Sequence, residues 1–390
     1  MSFEYNPYRF DVQHNPYPYY RHLRDEAPVY HNDEHDFFAL SRYADVLAAH
    51  KDPVTFVSSN GVTIEGGEVG QDFLILKDPP EHEWHRRVVS RVFTPRRVGG
   101  LEPFMRDECA RLLDQHAGSS GFDAVEQFSI QLPLAVIGEL LGIPESMRQD
   151  VHHLADRLFT RDETGEVTPD AATAQAELGG LLYGLVVERR ANLGDDVISL
   201  LIEAEVRDDD GNVTRLTDEQ LTFRVLELAF AGHETVARLI ANGVVALAWF
   251  PDARRELAGD RTLLPQAVEE MLRWDAPSHF QGRWTTRDVE LHGTTIPADR
   301  RVILVTGAAN HDDRVYADPE VFDLHRNADT TVTFGYGAHF CLGASLARLE
   351  TRVAFDEFLD RFPDFDLATS GITRMRSSNV RGLANLPIVL

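Results

Sequence analysis

A cysteine delivered by a glycine-rich loop to the start of a helix is well placed to ligate a metal, and Cys341 stands in that setting. The string Phe334-Gly335-Tyr336-Gly337-Ala338-His339-Phe340-Cys341-Leu342-Gly343 runs into Ala344-Ser345-Leu346-Ala347-Arg348, which reads as a helix opening. Free N–H groups at a helix N-terminus favour thiolate over thiol and so prepare the sulfur for a metal. Gly335, Gly337 and Gly343 permit tight turns and the close approach of a flat ligand. Phe334 is placed to shield the sulfur from water. Taken singly, a buried cysteine is more often inert core. A glycine-rich loop before a helix also suits a dinucleotide, but Phe340 takes the last glycine position of G-x-G-x-x-G and no P-loop lysine follows.

Three further groupings carry possible chemistry. Ala231-Gly232-His233-Glu234-Thr235 sets an acid and a hydroxyl inside an otherwise apolar helix, where burial costs free energy unless both are hydrogen-bonded. A local bond from Thr235 to the backbone, bending the helix, is the plainer reading of the same residues. Glu270 and Arg273 lie one helical turn apart and point the same way. In Asp78-Pro79-Pro80-Glu81-His82-Glu83-Trp84-His85-Arg86-Arg87, His82 and Arg86 share a helical face and suit a carboxylate held between them. His82-Glu83 also begins like the zinc motif H-E-x-x-H, but the second histidine falls at position 85, off the required face.

The elements that must position these groups are mainly helical. The opening proline- and tyrosine-rich segment reads as irregular chain, followed by short strands at Ala27 to Tyr30 and Phe37 to Ser41 and a helix from Tyr43 to about His50. Phe56 to Leu76 reads as a long loop, a kind of segment that is usually functional or disordered. From Glu81 to Leu201 apolar residues recur at three- and four-residue spacing. A long helix then starts at a capping box, Thr217 and Gln220, and stops at Pro251. At ~1.5 Å per residue it spans about 50 Å. A helix ending near Trp274, strands over Val289 to Thr306, a helix from Leu342 to Arg361 and strand-like pieces near Val380 and Ile388 complete the chain.

Composition narrows the class. The 390 residues carry a net charge of −25, which argues against non-specific nucleic-acid binding. Cys109 and Cys341 are too far apart in sequence to imply a disulfide framework. The N-terminus has no signal-peptide pattern, and the most apolar window, Val225 to Phe250, is interrupted by Glu227, His233, Glu234 and Arg238. A cytoplasmic protein without a membrane span is the expectation.

The string ending at Cys341 resembles the haem-binding pattern of the cytochrome P450 superfamily in its bacterial form, F-G-x-G-x-H-x-C-x-G, with every fixed position filled. The resemblance implies one mainly α domain over 1–390 with small β-sheets, and haem b between the Cys341 loop and the long helix. It implies that Cys341 is the axial thiolate, which pushes electron density towards iron, a family behaviour that is well described. His339, His82, Arg86 and Arg283 become cofactor-binding residues through the propionates, with Phe334, Gly232 and Gly343 beside the cofactor. Ala231 to Thr235 matches the family's A-G-x-[DE]-T, in which Thr235 and Glu234 handle oxygen and protons. Glu270 and Arg273 match a buried structural pair completed by an arginine in the later segment, here Arg326. Asp313-Arg314 departs from the D-P common at that place.

The implied activity is mono-oxygenation of a largely apolar small organic substrate by a monomer, with two electrons from a ferredoxin and its ferredoxin reductase. A peroxide-driven enzyme is the alternative, and a non-catalytic haem electron carrier or gas sensor a more distant one; the acid–alcohol pair favours turnover with dioxygen. Substrate contacts are expected from Phe56 to Leu76, Leu154 to Leu185 and Pro277 to Gln281, including Phe56, Phe73, Leu158, Phe159, Phe280, Ser278 and His279. Between Trp84 and Leu101 stand Arg86, Arg87, Arg91, Arg96 and Arg97 without an acidic residue, a patch suited to an acidic ferredoxin.

Overall fold

The computed structural model describes residues 3–65, 72–158, 168–368, 370–377 and 379–390, and helices carry most of them. The organising element is the helix Asp218–Trp249, 32 residues long. Its first turn is closed reciprocally: Thr217 Oγ1 accepts from the Gln220 N–H, and Gln220 Oε1 from the Thr217 N–H. Pro251 opens the next helix, Pro251–Gly259, and so ends this one. From Val236 to Leu247 every residue is buried, so this stretch is core all round and not amphipathic. Helices Gln131–Leu141, Pro169–Ala191, Leu264–Trp274 and Ala344–Arg361 pack against it.

The polar side chains of this stretch find partners inside the protein. Arg238 donates to Glu234 and to the Leu383 carbonyl, and Asn242 Nδ2 to the carbonyls of Asp275 and Arg381. Such bonds offset much of the cost of taking polar groups out of water.

The largest sheet runs Val29–Asn32, Phe37–Leu40, Arg301–Leu304, Gln281–Thr285, Phe56–Val57. Only the second and third of these neighbours are parallel, with Phe38 opposite Val302. This sheet brings Arg283 beside Val302 in the antiparallel register. Val289–Leu291 and Thr294–Ile296 form the expected hairpin, and His292 and Gly293 both take positive φ (51° and 78°) at its turn. Below the long helix, Arg273 Nε and Nη2 each reach a Glu270 oxygen at 2.7 Å, and Arg326 Nε reaches Oε1 at 3.2 Å. The pair and its third member are therefore assembled as expected, with Glu270 and Arg273 fully buried.

Several local expectations are corrected. The opening segment is not irregular: it forms helices Phe10–His14 and Tyr17–Glu26. Pro18 sits in the first turn of the second, where a missing N–H costs nothing. The loop expected over Phe56 to Leu76 contains a short strand, Phe56–Val57, and a 3₁₀ turn, Leu74–Leu76, with 66–71 outside the described residues. Val380 makes only an isolated bridge to Ser278, while the C-terminal strands are Leu383–Asn385 and Pro387–Val389. The helix expected from Leu342 begins at Ala344.

Candidate functional site

A cavity of about 320 Å³ separates the long helix from the stretch 334–347, a size at the lower end of the range for small-molecule sites. One wall is Leu228, Ala231, Gly232, Thr235, Val236 and Leu239; facing it are Phe334, Cys341, Leu342, Leu346 and Ala347. His50, His82, Arg86, Arg283 and His339 also line it. Two mostly apolar walls thus meet a set of cations and imidazoles, which suits a flat apolar molecule bearing anionic groups.

The turn before Cys341 is built on glycine. Gly335 and Gly337 both take φ of +67°, and a Cβ on Gly337 would stand 2.6 Å from the His50 carbonyl oxygen. The Cys341 N–H donates to the Phe334 carbonyl at 2.9 Å, which closes the loop. Burial raises the Cys341 thiol above its ordinary value, while the N–H groups of Gly343 and Ala344 and the charges of Arg86 and Arg348 oppose that shift. Phe334 lies with the Arg348 guanidinium 4.5 Å from its ring centre. Gly343 needs no special backbone (φ −83°), and a Cβ there would meet no protein atom within 4 Å. The turn expected there is present, closed by the Ala344 N–H on the Cys341 carbonyl at 3.5 Å, but it does not require a glycine φ.

Among the described residues no carboxylate forms a salt bridge with Arg86 or Arg283. Arg283 is buried and donates to the carbonyl of its neighbour Gly282, and Arg86 donates to the Phe340 carbonyl. Burial, partly countered by Asp78, lowers Arg283 to about 10. The rings of His82 and His339 meet at a tilt of 37° with centres 4.1 Å apart, and His339 Nε2 lies 3.3 Å from Ser58 Oγ. Burial first, then neighbouring arginines, hold His82 at about 4 and His339 at about 2, so both rings are neutral. His50, which the sequence reading missed, is buried beside them, with no hydrogen-bond partner at either ring nitrogen among the described residues. As an ordinary last-turn histidine of helix Tyr43–Lys51 it carries no motif that would have revealed it.

The acid and the alcohol part company. Thr235 lines the cavity and its Oγ1 donates to the Ala231 carbonyl at 2.8 Å, so the local backbone bond is present. Glu234 is 4% exposed and its Oε1 accepts from Nε and Nη2 of Arg238 at 2.9 and 2.5 Å. Glu234 does not itself line the cavity and meets Arg238 instead. Gly232 lines the cavity, yet a Cβ there would meet the Ile137 methyl at 2.8 Å, so close packing on helix Gln131–Leu141 also demands glycine.

The expected substrate segments contribute unevenly. Leu74, Ile75, Pro277, Ser278 and Gln281 line the cavity. Phe56 and Phe280 do not; each is buried in a core cluster of the sheet region. Phe73 packs edge-on against Phe223, and His279 is bonded to the Tyr20 hydroxyl at 2.7 Å. Phe159 and the side chain of Leu158 lie outside the described residues.

The family model for cytochrome P450 matches residues 164–370. Cytochrome P450 130 of Mycobacterium tuberculosis is 37% identical over 99% of this chain and 98% of its own length. This chain belongs to the cytochrome P450 family. A vitamin D(3) 25-hydroxylase of Pseudonocardia autotrophica is 38% identical over 96% of the chain and 94% of its own. The solved structure of CYP109E1 from Bacillus megaterium in complex with testosterone superposes with a TM-score of 0.88 at 30% identity, covering 97% of this chain and 98% of that one. The P450 is a haem mono-oxygenase of the bacterial type, and its cofactor is haem b with an axial thiolate from Cys341. Two observations agree with that cofactor: guanidinium and imidazole groups at the cavity that form no salt bridge among the described residues, and a sulfur facing a mostly apolar cavity. Small-molecule substrates and redox partners follow from the same membership. Among the described residues no single helix is long and apolar enough to cross a membrane.

Proposed function

We propose that this P450 hydroxylates or otherwise oxidises a largely apolar small organic substrate, using two electrons from a ferredoxin and its reductase. The observation that carries the reading is the cavity itself: Cys341 on one wall, Thr235 on the other, and apolar side chains between. The vitamin D(3) hydroxylase and the testosterone complex fit the same pattern of apolar ligands. Ser278 and Gln281 at the wall provide for a polar group on the substrate. The reading includes a monomeric, cytoplasmic chain of one domain.

Bound here, haem supplies the redox centre at which dioxygen is activated. The chain's own residues do the rest. The amides of Gly343 and Ala344 stabilise negative charge on Cys341 Sγ. Arg86 and Arg283 would offer charge-assisted bonds to the propionates, with His82, His339 and His50 beside them as further hydrogen-bonding groups. The Thr235 hydroxyl, which rests on the Ala231 carbonyl, is the proton-bearing group at the cavity wall. Leu228, Val236 and Leu239 exclude water around it.

The test is spectroscopic. Cys341→Ala abolishes the thiolate-type ferrous–CO spectrum, whereas Cys109→Ala, in the core and away from the cavity, leaves it unchanged. A normal spectrum from the Cys341 variant overturns the assignment. Screening apolar compounds by spin-state shift, then measuring product per electron with a ferredoxin chain, tests the activity.

A further inference from the structure

A chain of ion pairs crosses one side of the cavity, and neither the cofactor nor the alcohol uses it. Arg224, 1% exposed, donates through Nη1 to Glu227 Oε2 at 2.9 Å and through Nη2 to Asp72 Oδ1 at 3.2 Å. Glu227 then turns both oxygens to the main chain of the facing segment: Oε2 accepts from the Leu74 N–H and Oε1 from the Ile75 N–H, each at 2.9 Å. Lys77 continues the chain, reaching Asp72 at 2.7 Å and Glu81 at 2.6 Å. Glu81 is the first residue of helix Glu81–Ser90, which carries His82 and Arg86.

The arrangement has a clear physical content. The first amides of a helical turn have no partner within it, so the turn Leu74–Leu76 is fixed by a carboxylate from another helix. Leu74, Ile75, Arg224 and Glu227 all line the cavity, so this is a junction where the wall is stitched to the long helix. Phe73 adds an edge-on contact with Phe223 at 5.3 Å. Counting Glu81, Asp72 and Glu227 against Lys77 and Arg224, the cluster holds three negative and two positive charges. It therefore has no surplus cation to attract an anionic substrate, and its role is mechanical.

We propose that Arg224 and Glu227 determine specificity by size: they pin Leu74 and Ile75 across the cavity, and release of these two amides admits ligands too bulky to pass the pinned segment. Arg224 and Glu227 act through Leu74 and Ile75 and are positioning residues. The proposal rests on the reading of the cavity as the haem and substrate site. It adds a selection made at entry to the one made where the reaction occurs.

The experiment uses the haem-loaded protein and two iron-binding probes, imidazole and clotrimazole, an imidazole bearing a bulky triaryl group. Association rates are read by stopped-flow absorbance for the unaltered protein, Glu227→Gln and Glu227→Ala; exchange of the Leu74 and Ile75 amides is read by hydrogen–deuterium exchange. In Glu227→Ala the clotrimazole-to-imidazole rate ratio rises about tenfold or more, the order expected for losing charge-assisted bonds to the pinned amides, and both amides exchange faster. Glu227→Gln, which keeps one accepting oxygen and the packing volume, falls between. Faster exchange with an unchanged rate ratio overturns the proposal, because the clamp would then be structural only. Unchanged exchange in both variants overturns it as well. If neither probe gives a nitrogen-ligated spectrum with the unaltered protein, the reading of the cavity fails and the proposal falls with it.

Discussion

Glu234 and Thr235 are consecutive residues that face different surroundings: Thr235 borders the cavity, while Glu234 is clasped by Arg238 in the interior. Helical geometry accounts for the divergence, since successive side chains point about 100° apart. The acid named by the motif is thus held in an ion pair on another side of the helix that carries the alcohol.

Removing one partner of a buried pair leaves an uncompensated charge. Glu234→Ala should lower stability by about 3–5 kcal/mol in chemical denaturation, and Glu234→Gln by less. An alanine variant as stable as the unaltered protein would show that Arg238 draws nothing from this carboxylate.

Thr235→Ala removes the cavity-facing hydroxyl but no bond on which the helix depends, because the Ala231 carbonyl it occupies is also an ordinary helix acceptor. The variant should keep haem and substrate binding while product formation drops by ~10²–10⁴-fold, the usual cost of a lost proton donor. Reducing equivalents should appear as hydrogen peroxide. Unaltered product per electron would remove Thr235 from the proposed role.

Glu350 is 1% exposed, and its Oε1 has no hydrogen-bond partner among the described residues. Burial raises its carboxyl well above the ordinary range, so the folded state keeps the proton. An unfolded chain releases that proton near pH 4.3. Stability contributed by the neutral acid is therefore complete below that value and declines as pH rises towards the folded pKa, by about 1.4 kcal/mol per unit. Glu350→Gln should stabilise the protein more at pH 8 than at pH 5 in thermal melts. An equal shift at both pH values would contradict the assignment.

The arginine island keeps three exposed members, Arg87, Arg91 and Arg96; Arg97 lies 3.5 Å from Asp195. Helix Pro95–Gly100, which carries Arg96, packs on helix Ala344–Arg361, the helix that follows Cys341 in the chain. Arg91→Glu with Arg96→Glu should slow reduction by an acidic ferredoxin at low ionic strength and flatten its salt dependence. The CO spectrum and substrate binding should not change. Identical kinetics across a salt series would place the donor elsewhere.

What the sequence disclosed follows from how tightly chemistry constrains each place. A sulfur approached by a flat ligand needs glycines at fixed offsets, so the Cys341 loop was readable, as was the capping box that starts the long helix. His50 was not, because it reaches the cavity through tertiary packing against Gly335 and Gly337 and belongs to no local pattern. Phe56 and Phe280 looked like substrate contacts by type, but the sheet region buries them. Glu227 read as a mere interruption of an apolar helix; its role depends on a segment about 150 residues away in the chain.

The close approach of Gly337 to the carbonyl of His50 also bears on timing. The two residues are far apart in a chain that is synthesised from its N-terminus, and the wall opposite Thr235 extends to Ala347 of 390 residues. No growing chain holds a complete cofactor seat until Ala347 has left the ribosome. Contacts of such long range also make folding slow. A complete seat for haem therefore forms only after the segments from His50 to Ala347 have all been made and brought together.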